Sequence, residues 1–109
     1  MDTSDYSPRE VAALLQDGNV QLIDVRQTEE HEAGRIGGGR LIELGDLPAQ
    51  AETIDRDQPV IVYCRSGSRS AMATAALRQA GFDAHNLAGG IIEWMAAGLP
   101  IEPENGQIA

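Results

Sequence analysis

Pro59-Val60-Ile61-Val62-Tyr63 runs into Cys64-Arg65-Ser66-Gly67-Ser68-Arg69-Ser70, and an alanine-rich stretch to about Ala80 follows at once. The first segment has the unbroken apolar character of a strand covered on both faces. The last has the composition of a helix. A strand that ends on a cysteine, then a loop of small residues, then a helix aims backbone N–H groups and a helix N-terminus at one sulfur. Arg65 and Arg69 add positive charge inside the same loop. All three influences favour thiolate over thiol, and the thiolate is the nucleophile. Such a sulfur needs no adjacent base. Gly67 is placed where a backbone turn needs φ > 0.

Working outward, strands and helices alternate along the chain. Ser7 is placed to cap a helix, with Pro8 at its first position and Glu10 completing a capping box. Tyr6 and Val11 stand at the positions of a hydrophobic staple, and Asp17-Gly18-Asn19 ends the helix. Val20–Val25 reads as a mostly apolar, central strand. A short helix is expected over 28–33 with Thr28 as cap. A glycine-rich loop follows over 34–40, a short strand over 41–44, and a helix from Gly45 or Asp46 to about Ile54. After the Cys64 loop, Met72, Ala76, Leu77 and Ala80 mark one helical face, and Gly81 stops the helix. Ala84–Leu87 is a last strand. Gly89-Gly90 opens a helix through Trp94 that ends at Gly98 and Pro100. From Glu102 onward a polar, mobile tail is expected.

This alternation predicts an α/β fold, three layers deep, with a mostly parallel sheet. In such sheets ligands bind beyond the carboxyl ends of the strands. Cys64 lies at such an end, and so does Asp24-Val25-Arg26.

The chain has 109 residues, which is one domain, with a core expected over about 6–101. Its formal net charge is −9, and all eight basic residues are Arg. That surface repels nucleic acid and anionic membranes, and it offers no basic patch. One cysteine excludes an internal disulfide and a Cys-rich metal site. A free thiol suits a reducing compartment. The acidic start Met1-Asp2-Thr3-Ser4-Asp5 does not read as a signal peptide, and no apolar run reaches the roughly 20 residues of a membrane span. A cytoplasmic monomer is expected.

The quoted residues bring a resemblance into view. Leu22-Ile23-Asp24-Val25-Arg26, Gly34 with Ile36, Val62 to Gly67 with Arg69-Ser70, Ala80-Gly81-Phe82, and Leu87-Ala88-Gly89-Gly90-Ile91 with Trp94 and Ala97–Pro100 match, in order and spacing, the single-domain rhodaneses. The chain resembles that sulfurtransferase family over about residues 6–101. The resemblance implies a five-stranded sheet of order 1-5-4-2-3. Its first strand, near Tyr6, is not legible in the pattern itself. It also implies sulfur relay: Cys64 takes the outer sulfur of thiosulfate or of a persulfide donor, holds it as a persulfide, and yields it to a thiol or to cyanide. No cofactor and no metal are called for. A protein donor or acceptor fits the same chemistry. The chain departs from the family at Gly34-Arg35-Ile36-Gly37-Gly38-Gly39, where the pattern has Gly-His-Ile-Pro-Gly-Ala. Gly37 in place of proline implies a looser loop.

Within this reading Cys64 is the catalytic residue. Arg65, Ser66, Gly67, Ser68, Arg69 and Ser70 bind substrate, the serines chiefly through backbone N–H groups. A planar arginine fork suits a sulfonate-like oxygen set. Asp24 and Arg26 are structural supports, with Asp24 expected to pin the arginine-bearing loop by an ion pair. His31 and His85 lack a partner at catalytic or metal spacing, and Trp94 belongs to the core. A phosphatase also uses a cysteine loop, but its loop runs Cys-x5-Arg. Cys64 to Arg69 is one residue shorter and suits a single protruding sulfur. A non-enzymatic module that carries persulfide between proteins is the third class.

Overall fold

The computed structural model of the chain describes residues 5–109, so the expectation about the Met1–Ser4 start lies outside the described residues. Five strands form one parallel sheet: β1 Asp5–Tyr6, β2 Gln21–Asp24, β3 Arg40–Leu41, β4 Val60–Tyr63 and β5 Ala84–Leu87. Their order is β1-β5-β4-β2-β3, with every neighbouring pair parallel. The fold is the three-layer α/β arrangement expected, and the strand near Tyr6 is present as the β1 edge.

β4 sits at the centre and is buried along its whole length. Its side chains alternate between two cores. Val60, Val62 and Cys64 face one cluster with Ala73, Leu77 and Phe82. Ile61 and Tyr63 face the other with Val11, Leu87, Ile91 and Trp94. This period of two places the Cys64 side chain on the same face of the sheet as the helix that follows it.

Helix α1 (Pro8–Asp17) forms as its sequence dictates. Ser7 Oγ accepts from the Glu10 N–H at 3.2 Å, and Glu10 Oε1 accepts from the Ser7 N–H at 2.9 Å. Tyr6 and Val11 pack in one cluster, as a staple requires. Helix α2 (Thr28–Ala33) is capped by Gln27, one residue earlier than expected. Thr28 instead donates its N–H and its hydroxyl to Glu43 Oε2, at 2.7 and 2.9 Å.

Three further expectations need correction. The strand placed at 41–44 is Arg40–Leu41, and the helix placed at 45–54 is α3 (Leu47–Gln50) bracketed by 3₁₀ turns Leu44–Asp46 and Ala51–Thr53. Thr53 Oγ donates to the Gln50 carbonyl at 2.6 Å and Arg40 takes the Thr53 carbonyl at 3.2 Å. Side chains thus compete for carbonyls that a longer helix would use. In α4 (Ser68–Gln79) the buried face is Ser70, Ala73, Thr74 and Leu77; of the expected face only Leu77 is buried, while Met72, Ala76 and Ala80 are exposed. Met72 is 66% exposed. An alanine-rich helix has little polarity contrast, so its phase is set by the sheet it lands on.

The last helix, α5 (Gly90–Ala96), packs with α1 on the opposite side of the sheet from α4. The segment after Ile101, expected to be a mobile tail, lies back against the body. Glu102 and Arg35 exchange backbone hydrogen bonds of 2.9 and 2.7 Å, and the Gln107 N–H donates to the Ala33 carbonyl at 2.8 Å. Gly37 lies under this segment, where a Cβ would come 2.8 Å from Glu102 Oε2. No helix among the described residues is long and apolar enough to cross a membrane.

Candidate active site

The parallel register brings two strand ends to one edge. Asp24 is level with Tyr63, and the Val25 N–H donates to the Tyr63 carbonyl at 3.0 Å. Cys64 and the Asp24-Val25-Arg26 turn therefore emerge side by side, as the topology rule requires.

The Cys64 loop closes around its own sulfur. Sγ accepts from the Gly67 N–H at 3.1 Å and the Ser70 N–H at 3.4 Å, with the Ser70 hydroxyl at 3.3 Å. Gly67 takes φ 104°, which turns its N–H inward at a conformation L-residues avoid. The back of the loop is held by α5: the Ile91 and Ile92 N–H groups bind the Cys64 and Arg65 carbonyls at 2.9 and 3.2 Å. Gly90 makes this approach possible. A Cβ there would sit 2.4 Å from the Arg65 carbonyl oxygen.

Burial pushes the Cys64 thiol up and is the largest single influence on it. Hydrogen bonds from the Ser70 hydroxyl and from the Ser70, Gly67 and Ser66 N–H groups together outweigh burial, so the thiol is held below its ordinary value. The Ser70 hydroxyl has a single proton and three claimants: Cys64 Sγ, the Gly67 carbonyl at 3.2 Å and Asn86 Oδ1. Asn86 Oδ1 lies 2.5 Å away, with Asn86 oriented by Nδ2 donating to the Gly67 carbonyl at 3.3 Å. Negative charge on sulfur draws that proton to itself, because hydrogen bonds to ionised acceptors are the stronger. Replacing Ser70 by Ala is therefore expected to move the alkylation profile of Cys64 to higher pH and slow its alkylation near neutral pH several-fold. Iodoacetamide rates across pH check this, and an unmoved profile would take Ser70 out of the account.

The two arginines expected to bind substrate each have a contact within the chain. The Arg69 guanidinium is bidentate on Glu30, with 2.7 and 3.0 Å contacts. That pairing holds the Glu30 carboxyl below its usual range, against burial. The Arg65 Nε donates to the Ala109 carbonyl at 3.3 Å. Ser66 and Ser68 are exposed at the rim.

Asp24 and Arg26 form a buried ion pair, both fully enclosed. Asp24 pairs with Arg26, two residues on, and not with an arginine of the Cys64 loop. Arg26 also donates to the Gly34 carbonyl at 2.8 Å, and its guanidinium lies over the Tyr63 ring. His31 has a partner after all: its Nδ1 is 2.9 Å from Asp24 Oδ2, and against a carboxylate that nitrogen donates. Besides the Thr28 contacts with Glu43, α2 is thus tied by His31 to β2 and by Glu30 to α4. His85 stacks on Tyr6 and bonds Asp83, away from the sulfur. Trp94 is core, its Nε1 donating to the Pro100 carbonyl at 2.8 Å. Among the described residues no group of three or more His, Cys, Asp or Glu side chains gathers as a metal site.

Sequence reasoning missed Glu30, Asn86 and the role of Gly90. Glu30 carries a signal only as the third residue of a helix. Its partner is 39 positions away. Asn86 is a polar residue in a buried strand, the one signal that could have marked it.

The family described as "Rhodanese-like domain" matches residues 7–97. A sulfurtransferase of Allochromatium vinosum is 39% identical over 89 residues, which is 81% of this chain and 83% of that protein. A thiosulfate sulfurtransferase of Actinobacillus succinogenes is 32% identical over 97% of this chain and 96% of its own length. Among solved structures, a rhodanese-like domain protein of Staphylococcus aureus superposes with a TM-score of 0.80 at 28% identity, over 98% of this chain and 99% of that one.

Proposed function

We propose, from the premise that the chain belongs to the rhodanese-like domain family, that its sulfurtransferase activity runs through a persulfide on Cys64 and draws on thiosulfate or a persulfide donor. The observation that carries this reading is one buried sulfur at the focus of inward-turned N–H groups. The Cys64 thiolate attacks the outer sulfur of thiosulfate. A sulfur–sulfur bond forms, the old one breaks, and sulfite leaves with the electron pair. The persulfide's outer sulfur then carries the charge, and the loop N–H groups of residues 65–70 are the donors that stabilise it. An acceptor thiolate or cyanide attacks that outer sulfur and restores the Cys64 thiolate. Arg65 and Arg69 orient the anion, Ser66, Gly67, Ser68 and Ser70 frame it, and Asp24 with Arg26 holds the floor. The lone thiol suits a monomer working in a reducing cytoplasm.

The test is intact mass after incubation with thiosulfate. One added sulfur on Cys64, removed by cyanide, is the expected result. No added sulfur from thiosulfate or from a small persulfide would overturn the enzyme reading. A second reading is a carrier charged by a protein donor. It is favoured by the Arg69–Glu30 pair, which leaves that cation already neutralised. Charging by a persulfidated protein, with none from thiosulfate, would select it.

A further inference from the structure

Strand β5 is buried throughout, yet it holds an amide: Asn86 is 4% exposed. A buried amide is costly unless its atoms are hydrogen-bonded, so each of its contacts has a reason. Asn86 is level with Val62, two residues before the nucleophile, and Val62 and Cys64 face the same core cluster. The pleat therefore raises the Asn86 side chain on the α4 side of the sheet, where it meets Ser70 in the first turn of that helix.

Its orientation is fixed by what it touches. The Gly67 carbonyl can only accept, so the Asn86 atom 3.3 Å from it is the amide nitrogen. The amide oxygen then faces the Ser70 hydroxyl at 2.5 Å. The Gly67 carbonyl has two lone pairs, and it already takes the Ala71 N–H at 3.0 Å and Asn86 Nδ2. Though the Ser70 hydroxyl lies 3.2 Å from it, its capacity is filled. Asn86 Oδ1 has no other donor among the described residues. The hydroxyl proton thus has two destinations with room for it, Asn86 Oδ1 and Cys64 Sγ.

The state of the sulfur decides between them. A thiolate is an ionised acceptor and draws the proton. A thiol, or the inner sulfur of a persulfide, is uncharged and accepts weakly, so the proton turns back to Asn86. No bond to hydrogen breaks; the hydroxyl only rotates. We propose that Asn86 is a positioning residue for Cys64: it supplies the acceptor that the Ser70 hydroxyl uses whenever Sγ is neutral, and so weights the site toward the thiol and sulfur-loaded forms and against the free thiolate. This deepens the persulfide reading and rests on it for the loaded form alone. The charged groups of the elements around Cys64 are Arg65 in the loop, Arg69 on α4 with Glu30 of α2, and Asp24 with Arg26 and His31. None hydrogen-bonds Asn86, so its substitution leaves them in place.

The experiment follows the alkylation of Cys64 by iodoacetamide across pH. It uses the full chain with Asn86→Leu or Asn86→Ala, each made again in a Ser70→Ala background and checked for folding by its melting curve. Neither substitution buries a charge, and the Gly67 carbonyl keeps the Ala71 N–H. Loss of the acceptor is expected to move the profile about 0.5–1 unit to lower pH, the shift that one ordinary hydrogen bond carries. In the Ser70→Ala background it is expected to move the profile no further. An unmoved profile, a move to higher pH, or a downward move that survives Ser70→Ala would overturn the proposal. A residue that merely braces the loop through Gly67 acts alike in both backgrounds. Intact mass at a fixed ratio of thiosulfate to sulfite gives the second readout. The ratio of loaded to free Cys64 is expected to fall about three- to tenfold in the Asn86 variants, and an undiminished ratio would count against the proposal equally. If the wild-type chain takes up no sulfur, the persulfide reading fails, while the alkylation profile still decides this one.

Discussion

Cys64→Ser is expected to lower sulfur transfer by about a thousandfold or more, the scale seen when a nucleophile is removed from an intact site. An alcohol oxygen can accept the same Gly67 and Ser70 N–H groups. The loop should therefore keep its shape, with a stability change of about 1 kcal/mol at most. What disappears is an atom that ionises near neutral pH and forms a bond to sulfur. Thiosulfate:cyanide turnover and urea unfolding, measured on one preparation, separate the two effects. Appreciable turnover in a folded variant would show that Cys64 is a buried hydrophobe and that the chemistry lies elsewhere.

The largest stability effect is expected at Asp24. Its carboxylate accepts from the Arg26 N–H at 3.0 Å, from Arg26 Nε and Nη2 at 2.9 and 2.8 Å, and from His31 at 2.9 Å. Asp24→Ala leaves a fully enclosed guanidinium with only the Gly34 carbonyl among its described partners. Breaking a buried pair from one side costs about 3–5 kcal/mol, mostly the desolvation of the charge left behind. A domain has about 5–15 kcal/mol in hand, so this change takes much of it. Burial opposes the charged form of Arg26, and the Asp24 contacts outweigh that burial. Urea unfolding is the measurement, with Asp24→Asn as an intermediate case that keeps one acceptor and loses the charge. A cost below about 1 kcal/mol for Asp24→Ala would mean that the guanidinium finds water, and that the enclosure is not a property of the folded chain in solution. The same substitution frees the His31 tie on α2, so the Glu30–Arg69 contact should loosen with it.

The centre of the site was legible because its causes are local. β4, Cys64, the Gly67 turn and α4 are consecutive in the chain. Each announces itself by composition: an apolar run, a small-residue loop, a glycine at positive φ. The α1 start was legible for the same reason, since a capping box spans four residues and is written in side chains. The strand order was not in the pattern. The two-residue β1 edge strand is too short to show alternation, and it came with the family resemblance.

Three features depended on what the fold brings together. The α4 phase failed because Ala71, Ala75 and Ala76 differ little in polarity from Ala73, so burial was decided by the sheet beneath. Arg69 was read as a substrate binder, and nothing near it in sequence foretells its partner Glu30. The tail was read as mobile on polarity alone, while Gly34, Gly106 and Ile108 give it a seat.

By itself, then, the sequence determined the candidate cysteine, the loop that surrounds it and the α/β class. Short-range hydrogen bonding and side-chain periodicity act within a few residues and leave their mark in composition. Tertiary structure alone decided which cation faces which anion. It placed Arg69 on Glu30, Arg26 on Asp24 beside His31, and Arg65 on Ala109. A charge has no preferred sequence separation. Its partner is whichever group the packed chain brings within hydrogen-bond reach, and only where the pair is enclosed, as at Asp24 and Arg26, does desolvation enforce the pairing.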